Sequence, residues 1–129
     1  FSFGMLSYFY RGMKNKDKAT MAVNLYGINY QTLDSWMCCL NDLRNKCAHY
    51  SRLYYWIFPA ISKMPTSEKY IPTRRLLTLL YMLKLMHLDQ QKWNEEVWKP
   101  LVKLVKKYKK DISYKHLDSP YRWKAMLKY

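Results

Sequence analysis

Glycine and proline are scarce in this chain, with three and five copies among 129 residues. That scarcity excludes a β-sandwich or small barrel, whose many turns consume both residues, and favours long helices. Cysteine is also rare. Cys38, Cys39 and Cys47 form no Cys-x-x-Cys pair and their number is odd, so neither a disulfide framework nor a zinc site is expected. Reduced thiols and a cytoplasmic location fit that pattern. Acidic residues are few, nine against 23 Lys and Arg, for a formal charge of +14. No apolar run is long enough to span a bilayer, which needs about 20 residues. The longest, Leu76 to Leu88, is interrupted by Lys84. A soluble protein with no membrane partner is expected.

Apolar residues make up half the chain, thirteen tyrosines among them. Their spacing is helical. Phe3, Leu6, Phe9, Tyr10 and Met13 predict an amphipathic helix over residues 3–14, with Ser2 as a cap. Asp17 is placed to cap a second helix that stops at Gly27. A third helix, from Asn29 or Thr32 to a point between His49 and Trp56, carries Leu33, Trp36, Met37, Leu40, Leu43 and Cys47 as its buried stripe. Pro59, Pro65 and Pro72 mark an irregular connection over about residues 57–72. Pro72 and Thr73 then open a leucine-rich helix, apolar nearly all round and therefore central. A fifth segment begins at Asp89, with Trp93, Val97, Trp98, Leu101, Leu104 and Val105 on one side. Pro100 reads either as a kink or as the first-turn proline of a fresh helix. The tail packs back through Tyr121 and Trp123. The expectation is one all-α domain over residues 1–129, a bundle of five to six helices. It opens at Phe1 rather than Met, which implies further residues upstream.

The positive charge is uneven. Lys99 to Tyr129 holds ten Lys or Arg against Asp111 and Asp118, a net of +8. Polyanions are the natural counterpart: RNA, DNA or an anionic membrane surface. Lys103, Lys106, Lys107, Lys109 and Lys110 are candidates to track an RNA backbone; the competing reading is a solvated face that keeps the chain soluble.

One constellation carries chemistry. Within Leu43 to His49, Arg44, Asn45 and His49 interrupt a core-building helix. Histidine can exchange a proton near neutrality, the arginine fork matches phosphate oxygens, and asparagine can orient either one. On an ideal helix Arg44 and His49 stand roughly 140° apart around the axis and about 7.5 Å along it. Asn45 and His49 share a face. One helix converges these groups loosely; two helices across a two-fold axis would build a cleft from both copies. By pattern alone, a surface arginine and a helix-end histidine are the favoured reading. His87 and His116 have no partner at catalytic or ligand spacing. Tyr54, Tyr55 and Trp56 could stack bases, but anchoring the connection in the core is the expected role.

The string LRNKCAHYSRLYYW resembles the Arg-Asn-x-x-Ala-His-x-x-Arg segment of Abi-like (AbiD/AbiF) proteins, the R-x4-6-H motif of HEPN domains. SFGMLSYFYRG is similar to the family's Phe-Gly-x-Leu-Ser segment. The leucine-rich helix and the later SPYRW are similar to following family elements, although Asp118 and Ser119 stand where the family more often has Gly-Phe. Family members are longer at the N-terminus, so the resemblance makes this a C-terminal portion of a HEPN-like bundle. It implies a metal-independent endoribonuclease of abortive infection, a toxin in phage defence that needs no cofactor. On that reading His49 is general acid or base, Arg44 holds the scissile phosphate, Asn45 positions them, and Arg52 contacts RNA backbone or is a plain surface charge. The implied partners are substrate RNA, a second copy completing the site, and an antitoxin protein or RNA. The alternative is a non-catalytic module that binds RNA or neutralises a partner, and a third is a basic helical binder of DNA or membrane.

Overall fold

A computed structural model describes residues 2–49, 52–113 and 122–129. All regular structure among them is helical: α1 (Phe3–Gly12), α2 (Asn15–Tyr26), α3 (Tyr30–Ala48), α4 (Leu76–Met86), α5 (Gln90–Trp93), a π-helical turn (Asn94–Trp98), α6 (Lys99–Lys107) and α7 (Trp123–Leu127). The segment from α5 through α6 is one continuous rod, which leaves six helices among the described residues. His116 and the tail residues up to Tyr121, including Pro120, lie outside the described residues.

Local chemistry explains the boundaries. Ser2 caps α1 through Oγ, which accepts from the Met5 N–H at 3.2 Å. Asp17 does not cap α2 as expected. The helix starts two residues earlier, at Asn15, and Asp17 lies inside the first turn, where its charge favours the helix dipole. Gly27 ends α2 in the left-handed region at φ 63°, a conformation that costs glycine nothing. Asn29 caps α3, accepting from Thr32 N–H at 2.8 Å.

The connection after α3 is longer than expected, because α4 begins at Leu76 rather than at Pro72 or Thr73. Thr73 works instead as a brace. Its N–H donates to Thr78 Oγ1 at 2.9 Å, and its own Oγ1 accepts from the Arg75 N–H at 3.3 Å. Pro100 takes the second of its two expected roles, a first-turn proline of α6. The turn before it widens so that Lys99 N–H reaches Asn94 O, five residues back, and the proline enters α6 in its first turn, where no N–H is needed.

Two apolar clusters form the interior. The first joins α1, α2, α3 and α4 through Tyr10, Ala22, Leu33, Trp36, Cys39, Leu79 and Met82, with Phe58 entering from the connection. The second gathers Leu77, Tyr81, Val105, Trp123 and Leu127. Helix α4 serves both, as a central helix should. Its buried set nevertheless runs through Thr78, Tyr81 and Met82, not through leucines alone.

Four expected burials fail. Leu6 and Phe9 of α1 are exposed, because α1 meets α3 along Ser7 and Tyr10. Leu104 is exposed, since Val105 takes the inward position on α6. Cys47 is exposed in the last turn of α3, beyond the reach of the core.

Side-chain donors fix α7. The last carbonyls of so short a helix lack intrahelical partners, apart from Lys124 O, which accepts from Lys128 N–H at 3.2 Å. Trp93 Nε1 donates to Leu127 O at 2.6 Å, Trp98 Nε1 to Lys124 O at 2.8 Å, and Lys84 Nζ to Met126 O at 2.7 Å. Asn94 clasps the Tyr129 backbone, donating to its carbonyl and accepting from its N–H, both at 2.9 Å.

Trp36 is 1 % exposed and stacks edge-on against Tyr26, so Trp36→Ala should cost about 3–5 kcal/mol. Val23, 60 % exposed on α2, should tolerate alanine within roughly 0.5 kcal/mol. Urea unfolding of the two variants measures the contrast; similar midpoints would mean that Trp36 is not a core anchor.

Candidate nucleic-acid interface

The rotation of α3 about its axis sets the site. Leu33, Trp36 and Cys39 face the core, and at about 100° per residue this turns Asp42, Asn45, Lys46 and His49 onto one flank. Arg44 falls on the opposite flank. Leu43 closes the apolar stripe, half-buried against the core.

Asp42, Asn45, Lys46 and His49 line a pocket of about 340 Å3 that is open to solvent. Trp56 and Pro59, from the connection, make its other wall. That wall is tied down at several points. Phe58 is buried, and its N–H donates to Arg74 O at 2.8 Å. Arg75 Nη1 donates to Tyr55 O at 2.9 Å. Further along, Trp36 Nε1 donates to Lys63 O at 2.8 Å, while Ser35 Oγ accepts from Lys63 N–H at 3.0 Å. The connection is therefore stapled to both α3 and α4, although it has no regular structure of its own.

His49 is the C-cap of α3, and its N–H donates to Asn45 O and Cys47 O. His49, Asn45 and Arg44 are all exposed. Arg44 does not line the pocket, but its Nη1 donates to Asn45 Oδ1 at 3.2 Å. The three residues singled out by the motif are thus linked through Asn45, with the imidazole and the guanidinium on different sides of it.

Residues that pattern reading passed over complete the pocket. Lys46 Nζ lies 3.1 Å from the centroid of the Trp56 ring, a close cation–π contact. Trp56 is 37 % exposed and Tyr55 more so, which corrects the expectation that the aromatic run is buried: Phe58 is the residue that enters the core. Asp42 is half-buried. Burial pushes its carboxyl above the usual carboxylate range, opposed by the guanidinium of Arg11 on α1. Three-residue spacing to Asn45 and seven-residue spacing to His49 put Asp42 on their face, a signal available in the sequence and missed because it lies outside the recognised motif.

Lys103, Lys106, Lys107, Lys109 and Lys110 are all exposed, as is Arg52. The end of this basic stretch is tied to the connection by Tyr54, whose hydroxyl hydrogen-bonds the Ser113 backbone and donates to Ser113 O at 3.1 Å. His87 has a local role, edge-on to Trp93 and accepting from Asp89 N–H at Nδ1. Among the described residues no three His, Cys, Asp or Glu side chains converge as a metal site, and no helix is long and apolar enough to cross a membrane.

Residues 1–55 match the family model described as Abi-like protein. Over those residues the chain is similar to the Abi-like family. The matched stretch holds α1, α2, α3, the Arg44-to-His49 segment and Arg52. It ends before Trp56 and Pro59, so the pocket has one wall inside the family match and one outside. The likeness drawn for the leucine-rich helix and for Ser119 to Trp123 also lies beyond it. No curated protein and no solved structure matches the chain. The family description points to abortive infection and hence to phage defence.

Asp42 gives a test of the pocket's electrostatics. Its native carboxyl holds a proton more tightly than in the unfolded chain, so its contribution to stability falls as pH rises through the raised native value. Asp42→Asn should therefore melt higher than wild type at pH 7, with the difference vanishing below the ordinary value of 3.8. A lower melting temperature for the variant at pH 7 would show that Arg11, not burial, dominates.

Proposed function

We propose that the chain is the working part of a metal-independent HEPN endoribonuclease, a toxin component of abortive infection. The observation that carries this reading is the solvent-open pocket holding Asn45 and His49, with the Arg44 guanidinium bonded to Asn45. A phosphodiester entering there meets the groups needed for transfer to its own ribose. The 2′-OH gives up its proton and attacks phosphorus, a P–O2′ bond forms, the P–O5′ bond breaks, and the leaving O5′ takes a proton. His49 is the general acid or base for one of these transfers. Arg44 stabilises the charge on the phosphate oxygens. Asn45 joins the two. The products are a 2′,3′-cyclic phosphate and a 5′-OH.

A second copy fits this arrangement. Arg44 and His49 lie on different sides of Asn45, and a two-fold mate would let the guanidinium of one copy face the imidazole of the other. Arg52 and Lys103, Lys106, Lys107, Lys109 and Lys110 supply a backbone track that raises affinity without choosing sequence. An antitoxin protein or RNA would act by covering the same surface.

The exposed lysines also favour a second reading, a module that binds RNA or neutralises a partner without turnover. End-labelled RNA incubated with the chain in EDTA separates the two. His49→Ala and Arg44→Ala should each lower cleavage by roughly 10²–10⁴-fold while helical circular dichroism is unchanged. RNA binding by both variants should persist and fall steeply with salt. Equal cleavage by wild type and His49→Ala would end the ribonuclease reading, and binding without cleavage by wild type would favour the second.

A further inference from the structure

The pocket beside His49 is built for more than a phosphate. Two of its lining residues, Trp56 and Pro59, bring flat apolar surface, part of the Trp56 ring carrying the Lys46 ammonium, and α3 brings a carboxylate. Among the described residues no hydrogen bond or ion pair closes on the Asp42 carboxylate, and Arg11 acts on it only at longer range. A half-buried carboxylate with acceptor capacity to spare calls for a ligand that brings donors.

Size and chemistry narrow that ligand. A volume of about 340 Å3 accommodates one planar base with its sugar at the mouth. Unstacked RNA bases are held by stacking on aromatic side chains and read along their Watson–Crick edges. Guanine alone of the four offers two adjacent donors there, N1–H and N2–H, in the fork that fits a carboxylate. Adenine and cytosine each set one donor beside an acceptor that would face the second carboxylate oxygen, and uracil flanks its one donor with two carbonyls. Guanine O6, next to N1, needs a donor. Asn45 has its Oδ1 engaged by Arg44, which leaves its Nδ2 to donate, and the Lys46 ammonium over Trp56 is a second donor lining the same pocket.

The register along α3 agrees. Asp42 and His49 are on the same face, two turns and about 10.5 Å apart along the axis. A nucleotide reaches across such a span, with its base edge at one end and its phosphate at the other. We propose that this pocket is a guanine-reading subsite, in which Asp42 selects the base and Trp56 stacks on it, so that cleavage at His49 falls next to guanosine. The inference rests on the RNA-cleaving reading for its consequence, but not for the binding itself.

Calorimetric titration of the 129-residue chain with 3′-GMP, 3′-AMP, 3′-CMP and 3′-UMP tests it. The 3′-GMP complex should be about tenfold or more tighter than the others. Asp42→Asn should erase that preference, whereas Glu95→Gln, an exposed acid in the π turn, should keep it. Trp56→Leu should weaken all nucleotides by about tenfold and leave guanine first among them. Equal binding of the four nucleotides, or a guanine preference that survives in Asp42→Asn, overturns the proposal. Two outcomes part it from the nuclease reading. Cleavage spread evenly over all four bases, without a 3′-GMP preference, keeps the nuclease and removes the subsite. A 3′-GMP preference lost in Asp42→Asn, in a chain that cuts no RNA, keeps the subsite and removes the nuclease.

Discussion

Everything at the candidate interface depends on which way α3 is turned. Trp36 is the fulcrum: its ring is buried against Tyr26, and its indole N–H is bound to the Lys63 carbonyl. A helix so anchored cannot roll. With Leu33, Trp36 and Cys39 held inward, the polar flank from Asp42 to His49 must face outward, and the connection caught by Trp36 and Ser35 must pass alongside it. Core packing thereby fixes a polar surface without contributing an atom to it.

The second constraint is hydrogen-bond satisfaction in a chain with little regular structure between α3 and α4. A non-helical connection carries backbone groups that need partners. Here they come from α3 and from the approach to α4: Phe58 N–H donates to Arg74 O, Tyr55 O accepts from Arg75, and Lys63 is bonded to both Trp36 and Ser35. These bonds hold Trp56 and Pro59 in place as a wall, so the pocket is preorganised on one side by a helix and on the other by a stapled loop. A preorganised cleft loses less entropy on binding than one that must assemble around its ligand.

A similar device holds the far end of the molecule. Trp93, Trp98, Lys84 and Asn94 all lend side-chain atoms to the backbone of residues 124–129. The widened turn at 94–98 accommodates the missing N–H of Pro100 and also begins with the asparagine that clasps Tyr129. Apolar burial of Trp123 and Leu127 supplies the attraction, and these bonds supply the register.

The sequence by itself determined the helical character, most helix boundaries and the segment from Arg44 to His49. Glycine scarcity, caps such as Ser2 and Asn29, and the spacing of Leu33, Trp36 and Leu40 are local signals, readable within a few turns of chain. What only the tertiary structure decided is which apolar residues go inside and what surrounds the motif. Leu6, Phe9 and Leu104 satisfy the helical pattern yet stay at the surface, because burial depends on whether another element arrives opposite. The aromatic run gave no hint that Phe58 would be buried while Trp56 would face a pocket. Asp42 shared a helix face with His49 from the start, but nothing in a one-dimensional pattern brings Trp56 and Pro59 across from it. That pairing is made by hydrogen bonds between residues 27 positions apart, such as Trp36 to Lys63, and such bonds exist only once the chain has closed on itself.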